Sequence, residues 1–231
     1  MKDIKGWMSH PALRQLGGFL VNFQQAKPYG PEYRIGRRPL GWMLMCTMVC
    51  LIYLPGTATA QHKLPAALEI TVIGKMLGYD QNLSKKTTET GTVPLALLYN
   101  AKKKNSEQQA DEIITAIRKL GKQKIISGKT LQPFKVAYQT AEQAQKAITS
   151  QKATLVYVCE GMDDRLEEIV KFSHNTGILT IGANPSYIDA GISIGVFLNG
   201  NKPQMVVNLA ASRAEGCNFS AALLKLASVI R

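Results

Sequence analysis

Histidine is scarce in this chain, with three in 231 residues, and cysteine is barely commoner, with four. So few cysteines exclude a disulfide-dense scaffold. Nineteen glycines with no fixed period exclude a collagen-like chain. No apolar run reaches the ~20 residues that a spanning helix needs, which excludes a polytopic membrane protein. No G-x-G-x-x-G follows a strand-like segment, and no internal repeat or long linker interrupts the sequence. What is present is a hydrophobic fraction of 45%, enough for a core and against wholesale disorder. The length suits one domain or two small ones. Acids are outnumbered, 16 against 28 Lys+Arg, for a formal charge of +12. That excess would fit a nucleic-acid binder if all of it belonged to the folded protein.

The first sixty residues read as something else. Leu40 to Leu54 is an uncharged apolar run of 15 residues preceded by Arg37-Arg38 and ended by Pro55-Gly56. Small residues follow, with Ala58 and Ala60 spaced as a signal peptidase requires. Basic flank, short apolar segment and small residues predict a secretory signal cleaved after Ala60. Residues 1–60 are twice a usual signal in length, so translation is expected to start downstream of Met1, near Leu20 or Val21. Export then leaves Gln61 to Arg231 as a single domain of 171 residues with a net charge of +7. An exported domain seldom meets chromosomal DNA, so no nucleic-acid partner is expected. Its basic surface would face anionic headgroups or an acidic partner protein. Cys46 and Cys50 leave with the signal. Cys159 and Cys217 remain in an oxidising compartment, either as a disulfide or as two buried thiols.

Along the remaining chain, Leu64 to Tyr79 is a helix opened by Pro65 and apolar on nearly every side, charged only at Glu69 and Lys75. Such a helix belongs in a core or an interface. Val93 to Tyr99 reads as a buried strand, and Ser106 to Leu120 as an amphipathic helix with Ser106 and Gln109 as its capping box. Phe134 to Tyr138, Ala153 to Val158 and Ile178 to Ile181 read as strands, and Ala141 to Ser150 and Asp163 to Asn175 as helices. The alternation predicts an α/β fold: a mostly parallel sheet with helices on both faces. An antiparallel C-terminal hairpin is expected from Ile192–Leu198 and Pro203–Leu209 about an Asn199-Gly200 turn. A last helix is expected to carry Phe219, Ala222, Leu223, Leu226, Ala227 and Ile230 on one stripe.

Motifs of catalysis fail on context. Gly191-Ile-Ser193-Ile-Gly195 matches G-x-S-x-G, but it lies in a strand leading to a turn and no His follows Ser193. Ser127-Gly128-Lys129-Thr130 resembles the tail of a phosphate loop, yet Gln123 stands where Gly is needed and Pro133 bars a following helix, leaving a turn. His62 and His174 have no second ligand at metal spacing, so no metal site, cofactor or catalytic residue is expected. Asp163, Asp164, Glu167 and Glu168 mark a helix start.

The C-terminal run ISIGVFLNGNKPQMVVNLAASRAEGCNFSAALLKLASVI is the most distinctive part. With ATLVYV followed by GMDDRLEEIV, and LEITVIGKMLGYDQNL near the start, it resembles the YfiR-like family of bacterial periplasmic proteins across residues 64–230. Cys217 departs from the aliphatic residue expected there, and Cys159 aligns with no family cysteine. The resemblance implies a periplasmic, non-catalytic domain, often a homodimer. In the family's best-understood branch such a domain binds the periplasmic sensor domain of an inner-membrane diguanylate cyclase, represses it, and so restrains cyclic-di-GMP signalling and biofilm formation. The expected contacts for partner or dimer are Leu68, Val72 and Met76 of the over-apolar helix and the Lys102-Lys103-Lys104 loop. The alternative is a small-ligand-binding protein made of one α/β lobe. Its ligand would lie beyond the carboxyl ends of the strands, at Asn100, Cys159-Glu160 and Ala183-Asn184.

Overall fold

The computed structural model describes residues 63–121 and 126–231. The signal segment, its Ala60 cleavage position and His62 lie outside the described residues.

Seven strands form one sheet in the order β2-β1-β3-β4-β5-β6-β7. They are β1 (Thr92–Asn100), β2 (Thr130–Tyr138), β3 (Leu155–Val158), β4 (Leu179–Gly182), β5 (Ile194–Asn199), β6 (Lys202–Asn208) and β7 (Ser228–Ile230). The first five run parallel, β6 returns antiparallel to β5, and β7 lies parallel to β6. The helices are α1 (Ala66–Leu77), α2 (Lys104–Leu120), α3 (Ala141–Ser150), α4 (Leu166–Thr176), α5 (Pro185–Asp189), α6 (Leu209–Ala214) and α7 (Ala221–Leu226). The fold is therefore α/β with a mostly parallel sheet, as the alternation of apolar strands and amphipathic helices implies.

Residues alternate between the two faces of each strand. Val93, Leu95 and Leu97 of β1 and Leu155 and Tyr157 of β3 point to one face. There they meet Ile70, Ile73 and Met76 of α1 and Ile113, Ile114 and Ile117 of α2. Ala96, Leu98, Val156 and Val158 point to the other, against Ala144 and Ile148 of α3, Leu166 and Ile169 of α4, and Tyr187 and Ile188 of α5. With both faces covered, β1 and β3 read as unbroken apolar runs rather than alternating ones.

Several local expectations change. The hairpin register pairs Asn199 with Lys202, so the two-residue loop is Gly200-Asn201. Gly200 takes φ 60 and Asn201 stays out of the left-handed region, the pattern of a II′ turn with Gly first. The last helix stops at Leu226, and Ser228-Val229-Ile230 form β7 against β6. A helical stripe loses here because β6 would otherwise end the sheet with an unpaired edge, and β-branched Val229 and Ile230 suit a strand. The Ser106–Gln109 capping box does not form. α2 starts at Lys104, Ser106 Oγ accepts the Asn100 N–H at 2.9 Å, and Gln109 is drawn inward. Ser127 and Gly128 form a tight turn with positive φ (41° and 85°), closed by the Lys129 N–H to Ile126 at 2.7 Å.

Two buried polar clusters tie remote segments together. Asp80 accepts the N–H groups of Asn82 and Asn218 and pairs with Lys86 Nζ at 3.2 Å, joining the end of α1 to the loop before α7. Glu215 accepts the Thr180 N–H at 2.8 Å, Thr180 Oγ1 at 2.7 Å and the Ser193 hydroxyl. Burial raises the Glu215 carboxyl above its usual range, and these donors hold it back. Ser193 thus anchors the start of β5 and is fully buried, with no exposed hydroxyl for a nucleophile. The acidic run enters α4 through a 3₁₀ turn at Asp163–Arg165. Its Glu168 accepts from Tyr138, whose hydroxyl is pushed up to about 12 by burial and by that carboxylate.

Candidate functional site at the carboxyl edge of the sheet

Strand order reverses at β1 and β3. The chain leaves β1 for β2 on one side, while β3 lies on the other. In parallel sheets the crevice at this switch point is where ligands gather. Asn100 ends β1, and Cys159, Glu160 and Gly161 follow β3. Asn100 Nδ2 donates to the Gly161 carbonyl at 3.0 Å and Asn100 Oδ1 accepts the Lys102 N–H at 3.0 Å, which fixes both loops. Gly161 has φ 81, and the Lys103 side-chain stem lies where its Cβ would be, 2.7 Å away. Only glycine fits there without displacing that stem.

Four side chains from separate elements converge just inside this edge. Glu69 comes from the inner face of α1, in line with Ile73 and Met76. Gln109 comes from the first turns of α2, Tyr157 from β3 and Glu160 from the loop after it. The Tyr157 hydroxyl donates to Glu69 Oε1 at 2.6 Å. Gln109 Oε1 accepts the Glu160 N–H at 2.7 Å, and its Nε2 reaches Tyr157 Oη and Glu160 Oε1, both at 3.4 Å. Lys63 Nζ stands 3.4 Å from Glu160 Oε1. Glu69 is only 5% exposed. Burial pushes its carboxyl up to about 7, against the lowering effects of the Tyr157 hydrogen bond and the Lys63 charge. The same burial, with Glu69 beside it, raises Tyr157 well above the usual phenol range.

These residues open on a cleft of about 450 Å3. Its polar lining is Lys63, Glu69, Gln109, Glu160 and Asn184. Apolar walls come from Leu64, Ala183, Pro185 and the Val196–Leu198 stretch of β5. Of the sequence-predicted ligand residues, Glu160, Ala183 and Asn184 line the cleft. Asn100 braces its neighbouring loop, and Cys159 is buried behind it. Cys159 and Cys217 are separate buried thiols, so the open choice between a disulfide and two thiols falls to the thiols in this structure. Burial raises both, Cys217 to about 12, which keeps them protonated and poorly nucleophilic. Among the described residues no three His, Cys, Asp or Glu side chains gather as metal ligands.

Sequence reasoning missed Glu69, Gln109, Tyr157 and Lys63. A signal existed for the first: one acid on the inner side of an otherwise apolar helix.

The expected partner contacts separate. Met76 is fully buried and packs in the core, so it presents nothing to a partner. Leu68, 42% exposed, and Val72, half-buried, lie on the outer side of α1, and Tyr79 is exposed in the turn that follows it. Val72 and Tyr79 line a groove of about 580 Å3 with Pro203, Met205 and Leu226, and Leu226 is 64% exposed. Lys102, Lys103 and Lys104 are exposed as expected. Lys104 faces Ala66 and Ala67 of α1 across another groove, which Glu107, Asp111 and Glu112 make mixed in charge.

No helix among the described residues is long and apolar enough to cross a membrane. Residues 108–228 match a family model, DUF4154, described as YfiR/HmsC-like. Among solved structures, a conserved domain protein from Vibrio cholerae O1 biovar El Tor superposes with a TM-score of 0.52 at 14% identity, over 72% of this chain and 60% of that one. An ABC domain in complex with L-Trp from Streptococcus pneumoniae gives 0.49 at 14% identity, over 72% and 62%. The substrate-binding protein CD0873 from Clostridium difficile gives 0.45 at 16% identity, over 60% and 54%. At such identity the first likeness is one of fold alone. The chain spans about three-fifths of the first two solved chains and about half of the third. No curated protein matches the sequence.

Proposed function

Because this chain belongs to the YfiR/HmsC-like family, we propose that it is an exported, non-catalytic regulator of an inner-membrane signalling protein. The working unit is the single domain 61–231, released into the periplasm by cleavage after Ala60. It binds the periplasmic sensor domain of its partner, a diguanylate cyclase, and holds that partner in its inactive state. The mechanism is differential affinity: the domain binds one conformation of the sensor and shifts the equilibrium toward it. Family membership over residues 108–228 is the observation that carries this reading.

The outer stripe of α1 supports a location for the contact. Leu68, Tyr79 and Leu226 are the large apolar side chains left exposed among the described residues, and Val72 and Met205 join the last two along one groove. Exposed apolar side chains gathered beside a groove mark interaction surfaces more often than scattered ones do. The same stripe would serve a homodimer. The test is co-purification of the full chain with the periplasmic sensor domain of a membrane diguanylate cyclase from the same bacterium. Leu68→Glu, Val72→Glu and Leu226→Glu should each weaken capture and relieve repression while circular dichroism stays unchanged. Undiminished capture by a folded triple variant would refute the assignment of this face.

A second reading is favoured by one specific observation, the cleft at the switch point. It places Glu160, Ala183 and Asn184 around a space large enough for a small ligand. On this reading the domain binds a small molecule there, as its output or as the signal that alters its hold on the sensor.

A further inference from the structure

The cleft at the carboxyl edge is unbalanced in its hydrogen-bonding groups. Glu69 and Glu160 supply carboxylate oxygens. Their partners inside the protein are the Tyr157 hydroxyl, Gln109 Nε2 and Lys63. Lys63 is about half exposed and reaches Glu160, and also Glu112 at 3.9 Å, without coming within ion-pair distance of Glu69. Glu69, 95% buried by its 5% exposure, therefore has no cation in contact among the described residues. One of its oxygens takes the Tyr157 hydroxyl, and no protein donor among the described residues reaches the other. Gln109 Nε2 is engaged and Lys63 is paired with Glu160 at the rim, so the donor left to an anionic ligand is the neutral Asn184 amide. Apart from Asn184, the remaining wall is apolar: Leu64, Ala183, Pro185 and Val196 to Leu198.

From this arrangement we propose that the cleft binds a small organic cation, one ammonium group carried on a short apolar body. The ammonium lies between the Glu69 and Glu160 carboxylates, and the apolar body lies along Pro185 and the β5 stretch. This rests on the second reading, that the cleft takes a small ligand, and adds the chemistry of that ligand. An ammonium offers three donors to sites that lack them and supplies the counter-charge that a buried carboxylate requires. A carboxylate or phosphate would meet two like charges there. The cation also explains why a carboxyl is kept at Glu69, on the buried side of an apolar helix, where Gln would hold the Tyr157 hydrogen bond without any charge.

The proposal has a pH consequence. The charged or titratable groups facing Glu69 are Lys63 from the segment before α1, Tyr157 from β3, and Cys159 and Glu160 after it. Tyr157 and Cys159 stay neutral, so the carboxyl at about 7 is the group that changes charge near neutrality. Only its ionised form pairs with an ammonium, so binding tightens as pH rises from 6 to 8.

The experiment uses the purified full chain, with n-butylammonium as probe and 1-butanol and butyrate as controls at matched ionic strength. Binding is followed by calorimetry and by amide chemical shifts. n-Butylammonium should bind, shifting the amides of Glu160 and Asn184, about tenfold more tightly at pH 8 than at pH 6. Glu160→Gln, at a partly exposed side chain that leaves the fold intact, should weaken it about tenfold at both pH values. Glu69→Gln should weaken it and abolish the pH dependence. Butanol or butyrate binding in the cleft as well as the amine does would overturn the cation chemistry and leave the ligand reading standing. No binding by any of the three, or amine binding unchanged in both variants, would overturn the proposal, and the first of these would count against the ligand reading too.

Discussion

Replacing Glu69 with Gln tests the environment of this side chain through stability alone, with no ligand or partner. Gln keeps the size and the carbonyl that accepts the Tyr157 hydroxyl, and it removes only the ability to ionise. In the fold, burial raises the carboxyl from 4.5 to about 7. Between those values the folded state holds a proton that the unfolded chain has released. Stability from this group is therefore fully present below about pH 4.5 and is lost as pH rises to about 7, then levels off. A gap of that size corresponds to about 3 kcal/mol. The assay is urea unfolding of wild type and Glu69→Gln at pH 5, 6, 7 and 8. Comparing the two cancels other titrating groups, including Glu215, which is raised for its own reasons. At pH 5 the Gln variant should already be the more stable, by a little under about 1 kcal/mol. At pH 8 the Gln variant should be the more stable by about 3 kcal/mol. A difference that stays within about 0.5 kcal/mol over the whole range would mean that Glu69 is ionised in the fold at little cost. The reasoning about its burial would then be wrong.

Other perturbations have definite outcomes. Glu215→Ala strips a partner from Thr180 N–H, Thr180 Oγ1 and Ser193 Oγ at once and should cost about 3 kcal/mol in chemical denaturation, where Ser193→Ala costs less. Lys86→Ala leaves Asp80 buried with only its two backbone donors and should cost about 3 kcal/mol, whereas Lys135→Ala, whose partners Glu107 and Asp111 are exposed, should cost under about 1 kcal/mol. Met76→Glu should fail to fold or melt far below wild type, because it places a carboxylate at a fully buried site, while Leu68→Glu should keep wild-type stability. Cys159 and Cys217 should resist an alkylating reagent in native buffer and react together in urea; fast labelling of the native protein would contradict their burial.

Where the structure follows the sequence, the reason is periodicity. β1 and β3 are buried on both faces, so every residue of VPLALL and LVYV had to be apolar or aromatic, and such runs are visible without coordinates. α3 falls on Ala141–Ser150 as expected, since Thr140 caps it by accepting the Gln143 N–H and apolar residues recur one turn apart. The misreadings fall where tertiary pairing overrides local pattern. Ile230 continues a helical stripe from Phe219, yet the free edge of β6 draws Ser228–Ile230 into a strand. Ser106 and Gln109 have capping-box spacing, but the helix begins two residues earlier and both side chains serve the switch-point loops instead. α5 is five residues long, too short for any period to register.

The cleft was half legible for a related reason. Knowing only that ligands favour the carboxyl ends of parallel strands finds the residues just after the strands, and Glu160, Ala183 and Asn184 are there. It cannot find Glu69 or Gln109, because they come from helices packed over one face and reach the edge only through their register against β3. What betrays Glu69 is its cost. A carboxyl at this place makes the fold less stable at neutral pH than an amide of the same shape would, by the argument above. Neither Tyr157 nor the core needs a negative charge, since the hydroxyl can donate equally to an amide oxygen. Within the described chain Lys63 feels that charge only at a distance, because its ion pairs are with Glu160 and Glu112, and a cation bound in the cleft, as proposed above, would gain far more from it. The same logic couples the two readings of the protein. A ligand that neutralises Glu69 stabilises α1 from its inner side, and the outer side of that helix carries Leu68 and Val72. Occupancy of the cleft should therefore change the affinity of this face for the sensor, and by linkage the bound sensor should change the affinity for the amine by the same factor. Measuring n-butylammonium binding with and without the sensor domain checks this, and an identical affinity in both states would separate the cleft from the regulatory face.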